Sequence, residues 1–165
     1  MRPHHALVTA ALAALLAACA STPDYPSEAP ERCARFVPLV ERVAADERVD
    51  PGLIAGITAV ESRWRPDAES RAGARGLMQI MPSTGRRLKC GDLLRPEPNL
   101  RCGARLLRRL LDRYDGHVDY ALAAYAIGAG KVDRAYDRRA EPPRQASIRR
   151  VHAARRAYLD QGCTS

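Results

Sequence analysis

The sequence predicts an all-α, single-domain protein, and three observations carry that reading. No segment alternates apolar and polar residues long enough to read as a strand. Apolar residues recur instead at three- and four-residue spacing in several separate segments. Helix starts and stops flank those segments: Asp50-Pro51, Asn99, Asp115-Gly116, Gly128 and Gly130. The chain has 165 residues, enough for one domain with a core and too few for two ordinary ones. Hydrophobic residues make up 46% and charged residues 28%, which excludes a disordered chain, a collagen and a multi-pass membrane protein.

Taken in order, the chain begins with Arg2, His4 and His5, followed by an apolar run from Ala6 to Ala18. That run is too short to span a bilayer and suits the apolar region of a secretory signal over residues 1–18. It ends in Leu16-Ala17-Ala18-Cys19, which resembles the lipobox of bacterial lipoproteins. The resemblance implies acylation of Cys19. With Ala20 rather than Asp following, it implies anchoring to the outer membrane, facing the periplasm. Residues 19–30, with three prolines and several small polar residues, read as a tether. The folded domain is expected over 31–163.

Within that domain, Phe36, Leu39, Val40 and Val43 form one stripe of a helix over 36–46, which admits Pro38 only in its first turn. Asp50-Pro51 starts the next helix, because Asp caps free N–H groups and Pro fits the first turn. That helix carries Leu53, Ile54, Ile57, Thr58 and Glu61 on one side. Asn99 is expected to cap a helix running to about Tyr114, with Leu100, Leu107, Leu110, Leu111 and Tyr114 inward. Asp115-Gly116 supplies the turn that follows. Residues 118–127 are apolar nearly all round, which predicts a central helix broken at Gly128. A last basic helix is expected over about 145–160.

Four cysteines remain beyond Cys19: Cys33, Cys90, Cys102 and Cys163. An even count in an exported chain points to disulfides. Of three pairings, the favoured one joins Cys90 to Cys102 across a short loop and Cys33 to Cys163 across the two ends of the domain. No C-x-x-C spacing appears, so neither a metal site nor a cofactor is expected.

Glu61 carries the most chemical information. It follows Ile54, Ile57 and Thr58 by seven, four and three positions and shares their face. A carboxyl in such company loses hydration, which penalises its charged form. Its pKa is expected to rise toward ~6, where it can act as a general acid near neutral pH. A hydrogen bond from the Thr58 hydroxyl to the carboxylate would limit that rise. The alternative is a helix-end Glu that turns to solvent or pairs with Arg63 or Arg65.

Glu61-Ser62 is followed by Gly76-Leu77-Met78-Gln79-Ile80-Met81-Pro82, then Asn99-Leu100, Gly103-Ala104, Leu106-Leu107, and Ala121-Leu122-Ala123-Ala124-Tyr125 with Gly128 and Gly130. This ordered set, from about Asp50 to Val132, resembles the catalytic domain of the soluble lytic transglycosylases, which are similar to goose-type lysozyme. The resemblance implies a lysozyme-like helical fold with a groove for peptidoglycan glycan strands. It implies cleavage of the β-1,4 bond between N-acetylmuramic acid and N-acetylglucosamine, leaving 1,6-anhydromuramoyl ends. Glu61 matches the single catalytic acid, and Tyr125 matches the tyrosine that hydrogen-bonds it. Ser62, Gly76, Met78 and Gln79 fall at substrate-binding positions. Gly76 would admit close approach of a sugar, Met78 would offer a flexible apolar surface, and Gln79 would supply amide donors and an acceptor.

Two departures stand out. Ala126 occupies a position where the family has Asn, and Arg150 one where it has Tyr. The alternatives to a lyase are a hydrolytic muramidase and a non-catalytic glycan-binding protein of the envelope, the latter motivated by Ala126. A formal charge of +8 favours a polyanionic partner. Nucleic acid is nevertheless not expected, although Arg101, Arg105, Arg108, Arg109 and Arg113 crowd one helix. Aromatics are only 5%, too few for a base-stacking platform. The export signal also opposes it, and the carboxylates of peptidoglycan account for the charge.

Overall fold

The computed structural model describes residues 29–163. The signal segment, Cys19 and most of the tether lie outside the described residues. Seven α-helices follow one another: α1 (Ala29–Glu47), α2 (Pro51–Ser62), α3 (Pro82–Leu88), α4 (Pro96–Arg113), α5 (Val118–Ile127), α6 (Asp133–Asp137) and α7 (Gln145–Gln161). One 3-10 turn, Ala129–Lys131, links α5 to α6. The fold is the expected all-α one, with a single core in which Val40, Val43, Ile54, Ile57, Leu77, Met78, Leu100, Leu107 and Val132 are fully buried.

The first helix is longer than its apolar stripe suggests. It starts at Ala29, inside the expected tether, and Pro38 sits in its interior rather than its first turn. A mid-helix proline removes the bond to the carbonyl four residues back. Here both Pro38 and Ala34 lie on the exposed side of α1, so the freed carbonyl faces water. The buried side continues through Cys33, Phe36, Val40, Val43 and Ala44.

The second helix begins as its sequence dictates. Asp50 Oδ1 accepts the Leu53 N–H at 3.1 Å, Pro51 opens the first turn, and Arg63 in the left-handed conformation ends the helix. Packing of α7 on α2 is close because α2 carries glycines where the helices meet. A Cβ on Gly52 would lie 3.0 Å from Arg155 Cγ and 3.1 Å from Leu159 Cγ. One on Gly56 would lie 2.7 Å from the Val151 carbonyl oxygen. Advancing one turn along α2 therefore moves one turn back along α7, and the two helices run antiparallel.

Asn99 does not cap α4. That helix starts one turn earlier, at Pro96, and Asn99 lies within it, fully buried. The expected inward set of Leu100, Leu107, Leu110, Leu111 and Tyr114 is buried as read. Disulfides join Cys33 to Cys163 and Cys90 to Cys102, with Cα separations of 5.5 and 5.4 Å. Each is of the kind that stabilises a domain by about 2–4 kcal/mol. Among the described residues no helix is long and apolar enough to cross a membrane.

Candidate active site

Glu61 is the last residue but one of α2, just before the 63–81 connection. Its side chain is partly buried, and loss of hydration raises its pKa above that of an ordinary glutamate. Arg150 and Arg144 act in the opposite direction through their charge, with the smaller effect. Two competing possibilities disappear. The Thr58 hydroxyl donates to the Ile54 carbonyl at 2.8 Å, so it does not stabilise the Glu61 carboxylate. Arg65 donates to the Ser62 carbonyl at 3.3 Å rather than pairing with Glu61. Among the described residues nothing donates a hydrogen bond to this carboxylate. Burial therefore decides its proton affinity. The neighbouring acids differ: Asp67 is exposed, and Glu69 accepts from Arg75 at 3.3 Å. Among the described carboxyls with a marked shift, Asp50 and Asp133 are lowered and Glu61 is raised.

The Gly76–Gln79 segment forms a rigid wall beside α5. Asn99 clasps it through three bonds. Its Oδ1 accepts the Met78 N–H at 2.7 Å, and its Nδ2 donates to the Arg75 and Leu93 carbonyls at 2.8 Å each. Gly76 has φ of 74°, and a Cβ there would lie 2.2 Å from the Leu93 carbonyl oxygen and 2.3 Å from Asn99 Nδ2. The close approach that requires glycine is thus made by the protein's own clasp rather than by a ligand. Met78 is likewise turned inward. Its side chain is fully buried, and a Cβ on Gly103 would sit 2.2 Å from its sulfur. It therefore offers no surface to a sugar.

The remaining positions also have internal partners. Gln79, with φ of 49°, spends its amide group on the carbonyls of Ala68 and Gly76, both at 3.0 Å. Only its side-chain oxygen is left to accept. Ser62 is buried and donates back to the Thr58 carbonyl at 3.1 Å. The Tyr125 hydroxyl donates to the Met78 carbonyl at 2.8 Å rather than to Glu61. It nonetheless lies in the electrostatic range of that acid. Burial first, and the Glu61 charge second, push the Tyr125 pKa well above the usual phenol range. Sequence reading gives Asn99 only a capping role and a place in the motif set, Arg150 only a departure from the family, and Arg144 no role; it does not foresee the clasp or the two charges acting on Glu61. Small residues Gly52 and Gly56 on α2 carried a signal for the α2–α7 register that brings the arginines in. No local pattern announced the Asn99 clasp.

The arginines of α4 are largely occupied. Arg101 pairs with Asp46 and Glu97, Arg105 with Glu47, Arg108 with Asp112 and Arg113 with Asp133. The expected basic stripe is therefore a lattice of ion pairs across α1, α4 and α6.

With this geometry in view, the comparisons with known proteins are decisive for the family. The sequence profile described as "Transglycosylase SLT domain" matches residues 38–148. The chain belongs to this family. A curated relative, the membrane-bound lytic murein transglycosylase F of Vibrio cholerae, is 36% identical over 107 residues, covering 61% of this chain and 20% of that protein. The structure of an inactive mutant of the lytic transglycosylase Slt from Pseudomonas aeruginosa superposes with a TM-score of 0.59 and 28% identity, covering 71% of this chain and 22% of that one. The 70 kDa soluble lytic transglycosylase of Escherichia coli shares the fold, with a TM-score of 0.65 at 23% identity over 82% of this chain and 26% of that one. The SLT-family chain spans about a fifth to a third of the length of the curated relatives it matches.

Proposed function

We propose that this SLT-family chain is a peptidoglycan lytic transglycosylase with Glu61 as its sole general acid and base. The observation that carries the reading is the Glu61 carboxyl: its pKa is raised by burial and no described residue hydrogen-bonds it, inside a family-matched frame. Such a group keeps its proton to higher pH than an ordinary glutamate and can release it in a poorly hydrated site.

The proposed reaction runs in two proton transfers. Protonated Glu61 gives its proton to the oxygen between N-acetylmuramic acid and N-acetylglucosamine as the bond from C1 to that oxygen breaks. The acetamido group of the muramoyl residue stabilises the cationic C1, as in substrate-assisted glycosidases. The Glu61 carboxylate then takes the proton of the muramoyl 6-hydroxyl while its oxygen closes on C1. The product is a 1,6-anhydromuramoyl end, and Glu61 is again protonated. No second carboxylate is needed, in keeping with the solvated Asp67 and the ion-paired Glu69. Tyr125 holds the Gly76–Gln79 wall beside the acid, and the Gln79 side-chain oxygen is free to accept from a sugar hydroxyl or acetamido N–H. The chain works in the periplasm, tethered to the outer membrane through an acylated Cys19.

Digestion of purified sacculi followed by mass spectrometry tests the reading. The wild type is expected to release anhydromuramoyl products, and Glu61→Gln to release essentially none. Ends heavier by one water would make the protein a hydrolytic muramidase. Undiminished digestion by Glu61→Gln, or none by the wild type, would overturn the proposal.

A further inference from the structure

Four aromatic side chains outside the candidate active site pack on one another, from the α4–α5 turn, α5 and α6. Tyr136 is the hub. Its ring centre lies 5.1 Å from those of Tyr114 and Tyr120 and 5.9 Å from that of His117, at interplanar angles of 65°, 83° and 63°. His117 meets Tyr120 at 6.1 Å and 84°. Among the described residues every ring–ring contact falls in this cluster. Tyr114 is buried, whereas His117, Tyr120 and Tyr136 line an open cavity of about 630 Å³ together with Asp115, Asp137 and Arg139. Tyrosine hydroxyls fix its charged corners. That of Tyr136 donates to Asp115 Oδ2 at 2.7 Å, and that of Tyr120 to the carbonyl of Ala140, next to Arg139, at 2.6 Å. Opposite charges thus share one wall, yet neither carboxylate forms an ion pair with Arg139. Two other cavities lined by both signs have their charges joined: Asp50 to Arg155 in one, Glu97 to Arg42 and Arg101 in the other.

We infer that this cavity binds a zwitterionic amino-acid head, an ammonium and a carboxylate on one carbon, carried by a peptide of the bacterial wall. The inference rests on the proposed murein-cleaving reading and adds a peptide preference to it. The ammonium is recognised in two ways. The negative face of an aromatic ring attracts a cation within about 6 Å. Asp115 Oδ1 and the Asp137 carboxylate, which no described residue hydrogen-bonds, accept its N–H groups. The Arg139 guanidinium takes the carboxylate, since its planar fork holds such a group through paired, charge-assisted bonds. A ligand of one charge leaves the opposite side of the wall without a counterpart, and a neutral pyranose calls for neither. Such a head is free on the side chain of a diamino diacid in a wall peptide. Cross-linking through that amine turns the ammonium into an amide, so the cavity selects strands whose peptides are not cross-linked.

Equilibrium binding to the wild-type full chain tests this with peptides that contain no sugar, so cleavage plays no part. The probe is a tripeptide ending in 2,6-diaminopimelate, with its N-terminus acetylated. It is titrated at low ionic strength while the ring protons of Tyr120 and Tyr136 are followed by NMR. Two further peptides carry the side-chain amine acetylated, as in a cross-link, or the side-chain carboxylate amidated. The unmodified tripeptide should bind about tenfold more tightly than either, the effect of one charge-assisted contact. Asp137→Asn should shrink the first difference, Arg139→Gln should abolish the second, and Arg156→Gln on α7 should change neither. Asp137 and Arg139 are exposed and their side chains hold no other element, so both variants should fold. Equal binding of the three peptides, or none, overturns the inference. So does a preference that survives both substitutions, or a shift of these rings by a neutral N-acetylglucosamine oligomer and not by the peptide. A protein that shows the preference yet releases no anhydromuramoyl ends from sacculi would contradict the lyase reading while this subsite stands.

Discussion

Two neighbouring regions of the site are built in opposite ways. Along Gly76–Gln79 nearly every polar group has an internal partner: Met78 is held through both its N–H and its carbonyl, and Gln79 through two donated bonds. At Glu61 the carboxyl has none, and only burial and the charges of Arg150 and Arg144 act on it. The first arrangement lowers energy and fixes geometry. The second raises energy and leaves a proton available. The contrast separates residues that make the site from the residue that would act in it, although all of them belong to one ordered motif set.

The largest expected effect falls on the unsatisfied group. Glu61→Gln should reduce sacculus cleavage by about 10³-fold, within the span of general acid–base contributions. Its effect on stability should be small and of opposite sign. A carboxyl whose folded pKa is raised supports the folded state while protonated and loses that support as pH climbs through the folded pKa. The glutamine variant should therefore unfold at a slightly higher temperature than the wild type at pH 8, and the gap should close at acidic pH.

The clasp should show the reverse pattern. Asn99→Ala leaves the Met78 N–H and the Arg75 and Leu93 carbonyls without their partner, and should cost about 3 kcal/mol or more in denaturant unfolding. Activity should fall with it because the wall beside Glu61 loosens. An Asn99 variant that kept full stability would erase the distinction between the two regions.

How much of this was legible in the sequence follows from the range of the interactions. Asp50-Pro51 acts within one turn, and its capping geometry is as read. Asn99 carries the same local signal, but its side chain is used by residues more than twenty positions away, which no window can see. Pro38 misled for a related reason. Its rule concerns the helix backbone, whereas burial through Cys33 and Phe36 extends α1 past it. The family motif pointed to Glu61 as the proposed acid but not to the division of labour around it. Met78 and Ser62 look like ligand contacts in sequence because they flank the acid and the turn, yet both face the core.

Two smaller effects sharpen the contrast. Asp50→Ala removes the α2 cap and the partner of Arg155, and should cost about 1–2 kcal/mol, a figure tempered by the partial exposure of the pair. Its folded pKa is lowered by Arg155 and the Leu53 N–H against the effect of burial. The wild type should thus lose this increment as pH falls through the acidic range, and Asp50→Ala should show a shallower acid decline. Tyr125→Phe removes one bond to the Met78 carbonyl, and about 1 kcal/mol is expected. A much larger loss of stability would mean that the tyrosine, rather than Asn99, is the main support of the wall.

The most direct test is a titration of the Glu61 carboxyl carbon by NMR in selectively labelled protein. The account requires a midpoint above that of an ordinary glutamate, moving further up when Arg144 and Arg150 are both replaced by glutamine. A midpoint at or below the ordinary value, indifferent to those two arginines, would contradict it.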